Sequence, residues 1–261
     1  MPEAGKGTAP APPRRVALVT GAAAGIGAAS ALRLAAAGMA IGVLDLDAPR
    51  CADTVRSIEA VGGKAIALGA DITDREAVRA ALARLRDTLG PVSVVVNNAG
   101  IPGFRPFLEI DDALWDHMLN VNLTGAFIVT QEVLPDMVSQ GWGRVINISS
   151  MAAQAGAKDM AHYCAAKAGM IGMTRALAHE FGPAGITANV IPPRFITGTI
   201  MSDQSFSAGK QPKAREAEVQ AGPIRREGRP DDIAGAVAWL ASEDGGFVTG
   251  QVIGVNGGRY I

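Results

Sequence analysis

Tyr163 and Lys167 stand four residues apart in a run of small side chains, HYCAAKAG (162–169). Positions i and i+4 share one face of a helix, so this spacing brings a phenol and an ammonium together. A free tyrosine, with a pKa of about 10, is a poor base at neutral pH. A neighbouring positive charge favours the phenolate and lowers that value. The pair therefore permits proton transfer to or from a bound oxygen. It equally permits an ordinary helix face with an amphipathic Tyr and a Lys whose stem lies along it. The chain holds only two tyrosines, the other being Tyr260 beside the C-terminus, and the rest of the sequence has to decide.

A second constellation lies near the N-terminus, where RVALVT (15–20) runs into TGAAAGIG (20–27). Gly21, Gly25 and Gly27 allow the backbone to turn sharply and approach a pyrophosphate, whose charge would sit at a helix N-terminus. The spacing is not the GxGxxG fingerprint, and three glycines by themselves also read as a tight turn. Asp45, at the end of the next apolar run, stands where an acid accepts hydrogen bonds from an adenosine ribose; a solvated Asp at a strand end is the plain alternative. Ala24 leaves the loop without a cation to meet a 2′-phosphate, and an Asp without a nearby cation repels one. These residues favour NAD over NADP.

The elements that must position these groups alternate along the chain. Strands are expected at 15–20, 40–45, 64–69, 91–97, 143–149, 186–191 and 251–256. Several are apolar on both faces, as in a parallel sheet covered by helices on each side. Helices are expected near 25–37, 50–61, 74–89, 111–140, 159–181 and 230–242. Thr73 and Glu76 have capping-box spacing, and Pro230 suits the first turn of the last helix. The alternation implies an α/β, Rossmann-like doubly wound sheet of about seven mostly parallel strands. Residues 1–13, MPEAGKGTAPAPP, read as a disordered tail without a signal peptide's apolar region. Residues 14–261 read as a single dinucleotide-binding and catalytic domain. The segment 194–229 has no clear period, and loops of that length are usually lids or binding loops.

The totals exclude several classes of function. The chain has 261 residues, 24 basic and 25 acidic, which gives no electrostatic footprint for nucleic acid or an acidic membrane surface. Val16 to Leu32 is uncharged but falls short of a membrane span and is broken by glycines. Cys51 and Cys164 are too few for a disulfide framework, and His117, His162 and His179 show no metal-ligand spacing. A soluble, cytoplasmic protein without a metal is expected.

Taken in order, TGAAAGIG, NNAG (97–100), NVNLTG (120–125), NISS (147–150), YCAAK (163–167) and VTGQVIGVNGG (248–258) resemble the short-chain dehydrogenase/reductase family in its compact form. The resemblance runs from Arg15 nearly to the end. It implies that Tyr163 is the catalytic acid/base, Lys167 its partner, Ser150 the ligand of the substrate oxygen and Asn122 the fourth member, holding a water that links Lys167 to solvent. Local sequence does not choose between the two serines of NISS; the family's common interval of thirteen residues before the tyrosine selects Ser150. The same resemblance places Gly21, Gly25, Ile26, Gly27, Asp45, Asp71, Ile72, Asn98, Tyr163, Lys167, Pro193 and Ile196 at the dinucleotide, with Asp71 and Ile72 near the adenine. Two positions depart from the pattern. Pro193 is followed by Arg194 rather than glycine, and Gly198 stands where relatives often carry a threonine, flanked here by Thr197 and Thr199.

The expected function is NAD-dependent interconversion of a secondary alcohol and a ketone. The alternatives are a 3-oxoacyl-thioester reductase and, from another class, a non-catalytic dinucleotide-binding regulatory protein. The partner would be the small alcohol or ketone. The resemblance also implies a homo-oligomer, tetramer or dimer, built on helices 111–140 and 159–181. His162, turned about 100° from Tyr163 on a helix, reads as packing or surface, and Cys164 as a small apolar residue. Trp115, Trp142 and Trp239 read as core or interface aromatics. Phe104, Phe107, Phe195, Met201 and Phe206 are either an apolar substrate pocket or core, and Arg194 points to solvent or to an anionic substrate group.

Overall fold

A computed structural model describes residues 14–199, 202, 216, 217 and 219–260. The 1–13 tail, Met201, Phe206 and part of the 194–229 segment lie outside the described residues. Six strands form one parallel sheet: β1 (Val16–Thr20), β2 (Ala40–Asp45), β3 (Lys64–Gly69), β4 (Val92–Asn97), β5 (Gly143–Ile148) and β6 (Ile186–Ile191). Their spatial order is β3-β2-β1-β4-β5-β6. The chain winds outward in one direction from β1 and in the other from β4, so a crevice opens where their carboxyl ends diverge. Both faces of the central strands are apolar because both are covered, and every residue of β1, β4, β5 and β6 is buried.

On one face lie α3 (Arg75–Leu89), α5 (Gly125–Gln140) and α7 (Ala161–Phe181). Leu82, Leu85, Val129, Val133 and Met137 pack there against Leu18, Leu44 and Val95. The other face carries α1 (Gly25–Ala36), α2 (Ala52–Ala60) and α8 (Pro230–Ala241). Its core joins Leu34, Ile58, Val237 and Leu240 to Ile41, Val43 and Val96. Burial of a side chain of this kind is worth about 1.5–3 kcal/mol, so the two layers fix the strand ends that carry the polar residues.

Three local features differ from the sequence reading. The segment 251–256 is not a full seventh strand. Val252 makes one isolated parallel bridge to Val190, with hydrogen bonds from Val190 N to Gln251 O and from Ile253 N to Val190 O; Gly254 and the turn that follows it end the pairing. The cap of α3 is Asp74, whose carboxylate accepts from Glu76 N and Ala77 N. Thr73 stands one residue before that cap, and its hydroxyl donates to Asp71 Oδ1 at 2.7 Å. The expected helix 111–140 is α4 (Asp112–Leu119) running through a π-turn (Asn120–Thr124) into α5. Such turns carry one residue too many for α geometry and are frequent at functional sites. Pro230 does open α8, in its first turn. Among the described residues no helix is long and apolar enough to cross a membrane.

Candidate active site

β1 delivers the chain to Gly21, whose φ of +62° is left-handed, and Gly25 follows at +57°. Gly27 is needed for a different reason: a Cβ there would lie 2.2 Å from the carbonyl oxygen of Gly21. Asn98, just past β4, closes the turn by donating from Nδ2 to Thr20 O and Gly21 O, both at 3.0 Å. Thr20 adds a reciprocal tie, its hydroxyl accepting from Asn98 N at 3.1 Å and Ala99 N at 3.0 Å. The loop enters α1 with Ala24 as N-cap, without a side-chain cap and without an acid in the first turn. α3 and α4, by contrast, are capped by Asp74 and Asp111. The α1 terminus thus keeps its partial positive charge for an anion. The backbone cradle and the uncapped terminus fit a dinucleotide pyrophosphate.

Around this cradle the other expected contacts fall as follows. Asp45 is at the end of β2 on the rim, its Oδ2 accepting from Ala23 N at 3.2 Å and its Oδ1 from Leu46 N at 3.0 Å. Arg50 Nε lies 3.4 Å from that same Oδ1, so Asp45 does have a nearby cation, which the sequence reading had not found. Asp71, exposed beyond β3, accepts from Thr73 N at 2.8 Å. Ile72 is buried with its side chain against Gly125, where a Cβ would come within 2.5 Å of Cδ1. Ile26 is half-buried at the start of α1. Pro193 O accepts from Met151 N, and Ile196 bridges Gly228. Of the two threonines beside Gly198, Thr199 is the one that touches the glycine loop: its methyl would be 3.3 Å from a Cβ on Gly25.

Tyr163, Lys167 and Ser150 meet at the carboxyl end of β5. Tyr163 and Lys167 are both 2% exposed on α7, and the Ser150 hydroxyl is hydrogen-bonded to the Tyr163 phenol. Ser149 takes a different path, donating from Oγ to Lys167 O at 2.8 Å. Lys167 Nζ donates to Ile148 O at 3.0 Å and lies 6.0 Å from the Tyr163 ring centroid. Burial pulls the Lys167 ammonium down to about 8. It pushes the Tyr163 phenol up to about 12; Ser150 acts in the opposite direction, and the neighbouring Cys164 thiol adds to the rise. In the chain alone, desolvation therefore outweighs the lowering expected from Lys167, whose charge is turned toward the β5 carbonyl.

Asn122 projects from the π-turn, 1% exposed. Its Oδ1 accepts from Ile101 N at 3.1 Å, and its Nδ2 donates to Ile101 O at 3.1 Å and Met118 O at 3.2 Å. This two-way clasp holds the loop after β4 so that Gly100 sits between Asn122 and Lys167; a Cβ on Gly100 would meet Asn122 Oδ1 at 2.5 Å and Lys167 Nζ at 3.2 Å. Below the site, Asn97 Nδ2 donates to Thr130 Oγ1 and to Asn147 Oδ1, each at 2.8 Å, and Asn147 Nδ2 donates to Thr174 Oγ1 at 2.8 Å. These buried bonds, about 1 kcal/mol each, register α5 and α7 on the sheet. Thr20, Asn97 and Arg50 escaped the sequence reading. The first two lie inside motifs that were read for other residues, and only the turn signal Asp47-Ala-Pro pointed to a chain reversal at Arg50.

Other candidates resolve simply. His162 is fully buried in packing, its Nε2 2.8 Å from where a Cβ on Gly103 would be. Burial, then the charge of Arg105, lowers its pKa. Cys164 is half-buried. Trp142 is covered by the guanidiniums of Arg15 and Arg144, at 3.1 and 4.0 Å from its ring centroid. Phe104 and Phe107 are exposed. Phe195 and Arg194 line a cavity of about 350 Å³ with Ile196, Ile224, Arg226 and Arg259. Ser150 and Tyr163 are not among the residues that line that cavity.

Residues 15–209 match the model of the family described as short chain dehydrogenase. The chain is 41% identical to Nodulation protein G of Azospirillum brasilense over 94% of its own length and 98% of that protein. It is also 41% identical to the (2S)-[(R)-hydroxy(phenyl)methyl]succinyl-CoA dehydrogenase subunit BbsD of Thauera aromatica, covering 95% and 97% of the two chains. A crystal structure of a candidate gluconate dehydrogenase from Agrobacterium tumefaciens superposes with a TM-score of 0.88 at 34% identity, over 94% of this chain and 95% of that one.

Proposed function

The chain belongs to the short-chain dehydrogenase family of NAD(P)-binding oxidoreductases, and from that premise we propose that it interconverts a secondary alcohol and a ketone, with NAD preferred and Tyr163 as the acid/base. The observation that carries this reading is the buried Tyr163 phenol hydrogen-bonded to Ser150 one helical turn from Lys167, beside the crevice that holds the glycine loop. The nicotinamide, when bound, supplies the hydride acceptor or donor. The residues that would hold the dinucleotide are Gly21, Gly25, Ile26 and Gly27 at the pyrophosphate, Asp45 at the ribose, Asp71 and Ile72 near the adenine, and Asn98, Lys167, Pro193 and Ile196 toward the reacting end.

The chain's own residues then manage the proton. Ser150 presents a hydroxyl to the reacting oxygen and to the phenol together. Tyr163 exchanges a proton with that oxygen, and its burial excludes water from the transfer. The Lys167 ammonium stabilises the phenolate once it turns from Ile148 O toward the phenol. Asn122, through its clasp on Ile101, sets Gly100 against Lys167 and fixes that side of the site. General acid–base help of this kind contributes about 10²–10⁴ in rate.

The preference for NAD rests on the Asp45 carboxylate, which accepts from a ribose diol and repels a 2′-phosphate. A thioester-linked 3-oxoacyl group is the second substrate class, favoured by the likeness to BbsD, whose name specifies a CoA thioester. Self-assembly through α4, α5 and α7 accords with the exposure of Phe127 and Val138 on α5, and sedimentation velocity measures it. The decisive experiment is turnover of a panel of secondary alcohols, ketones and 3-oxoacyl thioesters with NAD(H) and NADP(H), in wild type and Tyr163→Phe. The variant should bind NADH and lose turnover. Wild type that binds NADH without turning over any member would make the chain a non-catalytic dinucleotide-binding protein, and near-wild-type turnover in Tyr163→Phe would remove the acid/base role.

A further inference from the structure

Beyond Pro193 the chain frames the cavity of about 350 Å³ with three segments joined by backbone hydrogen bonds. Thr197 N donates to Gly228 O at 3.0 Å, Gly228 N to Phe195 O at 3.2 Å, and Ile224 N to Gly257 O at 3.1 Å. Pro193 O accepts from Met151 N, which ties this frame to the loop that carries Ser150. Phe195 takes a left-handed φ of +57°, a conformation that costs a bulky residue energy and persists where the surroundings impose it. The lining carries more cations than anions. Arg194, Arg226 and Arg259 belong to it, and Asp232 is its one acid among the described residues. That carboxylate is already engaged: Arg226 donates from Nη1 to Oδ2 and from Nη2 to Oδ1, and Arg229 N donates to Oδ2, each at 2.7 Å. The Arg226 bonds above all hold the Asp232 carboxyl down at about 2, so it stays ionised and balances one guanidinium. Arg194 and Arg259, which have further contacts of their own, bring two more positive charges to the same lining. Phe195, Ile224 and Val255 give it apolar surface as well.

We propose that this cavity is a binding site for a carboxylate or phosphate group carried on an apolar body. The excess of guanidinium over carboxylate selects an anion. The forked N–H donors of arginine match a carboxylate or a phosphate, with two parallel bonds to one group. The apolar part of the lining favours a ligand with a hydrocarbon portion over the bare ion. Ile196 is the one residue common to this lining and to the proposed dinucleotide contacts, so the two sites are neighbours with separate cations.

Calorimetry tests this with phenylacetate, phenyl phosphate, inorganic phosphate and neutral benzyl alcohol, on wild type, Arg194→Gln and Arg259→Gln. Wild type should bind phenylacetate or phenyl phosphate, and the tighter of the two identifies the head group. Inorganic phosphate and benzyl alcohol should each bind at least about tenfold more weakly, lacking one half of the match. Each arginine variant, its Tm checked against wild type, should weaken the bound anion by on the order of tenfold, the loss of one charge-assisted contact. Saturating NADH should leave the anion bound. Competitive inhibition of alcohol oxidation by that anion would mark the cavity as holding a substrate's own acidic end, and non-competitive inhibition a separate small acid. An anion expelled by NADH sits in the dinucleotide cradle, and that result would overturn the proposal. So would benzyl alcohol binding as tightly as the anions, or wild-type anion affinity in both variants. Wild type that does not bind NADH would remove the dinucleotide reading alone, since the anion affinity and its loss in the variants are read without a dinucleotide.

Discussion

Ser149 and Ser150 are adjacent in sequence with different partners, and alanine at each should separate stability from turnover. The Ser149 hydroxyl is buried and donates to Lys167 O at 2.8 Å, tying the end of β5 to α7. Removing it loses one buried hydrogen bond, about 1 kcal/mol, or roughly 2–4 °C in Tm for a chain of this size. Turnover should change little, because the phenol's own partner is untouched. Ser150 is half-buried, accepts from Ala152 N at 3.2 Å and bonds the Tyr163 phenol. Ser150→Ala should leave Tm within about 2 °C of wild type and lower kcat by about 10²–10³, the usual cost of deleting one donor at the reacting oxygen. The pH profile supplies a sign as well. Burial raises the phenol to about 12, while Ser150 lowers it, so its loss raises the phenol further. The rising limb of kcat/KM for alcohol oxidation should then move to higher pH. The assay is steady-state oxidation of the best panel substrate from neutral to alkaline pH, with thermal unfolding of the same preparations. A greater loss of turnover in Ser149→Ala than in Ser150→Ala would refute the reasoning, as would a limb moving toward lower pH.

Three further predictions follow from the same geometry. Gly27→Ala places a methyl 2.2 Å from a backbone carbonyl that cannot rotate away, so NADH affinity should fall more than about tenfold together with Tm; unchanged NADH fluorescence titration would show that the loop is not the cradle. Lys167, ordinarily at 10.5, is held at about 8 by burial. Below about 8 folded and unfolded chains both carry its proton and the fold bears the cost. Between about 8 and 10.5 only the unfolded chain keeps that proton, so stability rises with pH. Relative to Lys167→Met, wild type should gain on the order of 2–3 kcal/mol across that window, read by urea unfolding at both ends; a constant difference would refute the burial. Asp45→Ser should narrow the NADH-to-NADPH affinity ratio by about tenfold, and an unaltered ratio would remove Asp45 from the ribose.

Most of the architecture was legible because it rests on periodicity. Runs such as VALVT and VSVVVN are apolar on both faces, and their alternation with helical stretches points to a covered parallel sheet. Neither the glycine loop nor the Tyr163–Lys167 spacing was decisive by itself; the order of the motifs along the chain is what pointed to a site. What was not legible depends on groups meeting from distant parts of the chain. The partner of Arg50 became visible only when the 3-10 turn folded back onto the end of β2. Thr73 and Asp74 are both acceptable cap types, and only the point where the chain enters α3, at Arg75, makes Asp74 the cap. The seventh strand was overestimated because its apolar residues are real but only Val252 bridges β6. Desolvation of Tyr163 and Lys167 is a property of the packed helix, and no spacing in the sequence announces its size.

The π-turn at Asn120–Thr124 has a consequence for the chain's history as well as its geometry. One helix carries two duties there: Asn122 must meet the backbone of Ile101, and Val129, Val133 and Met137 must meet the sheet. The two faces are in phase only because the wide turn holds a residue that an α-helix would not. Adding or removing a residue in the α-helical parts on either side of that turn would rotate one half against the other by about 100°, so either the clasp or the apolar face would be misdirected. Side chains in this stretch can be exchanged one at a time, but its length cannot drift. Insertions and deletions among descendants of this chain should therefore accumulate on either side of residues 112–140 and be absent from within.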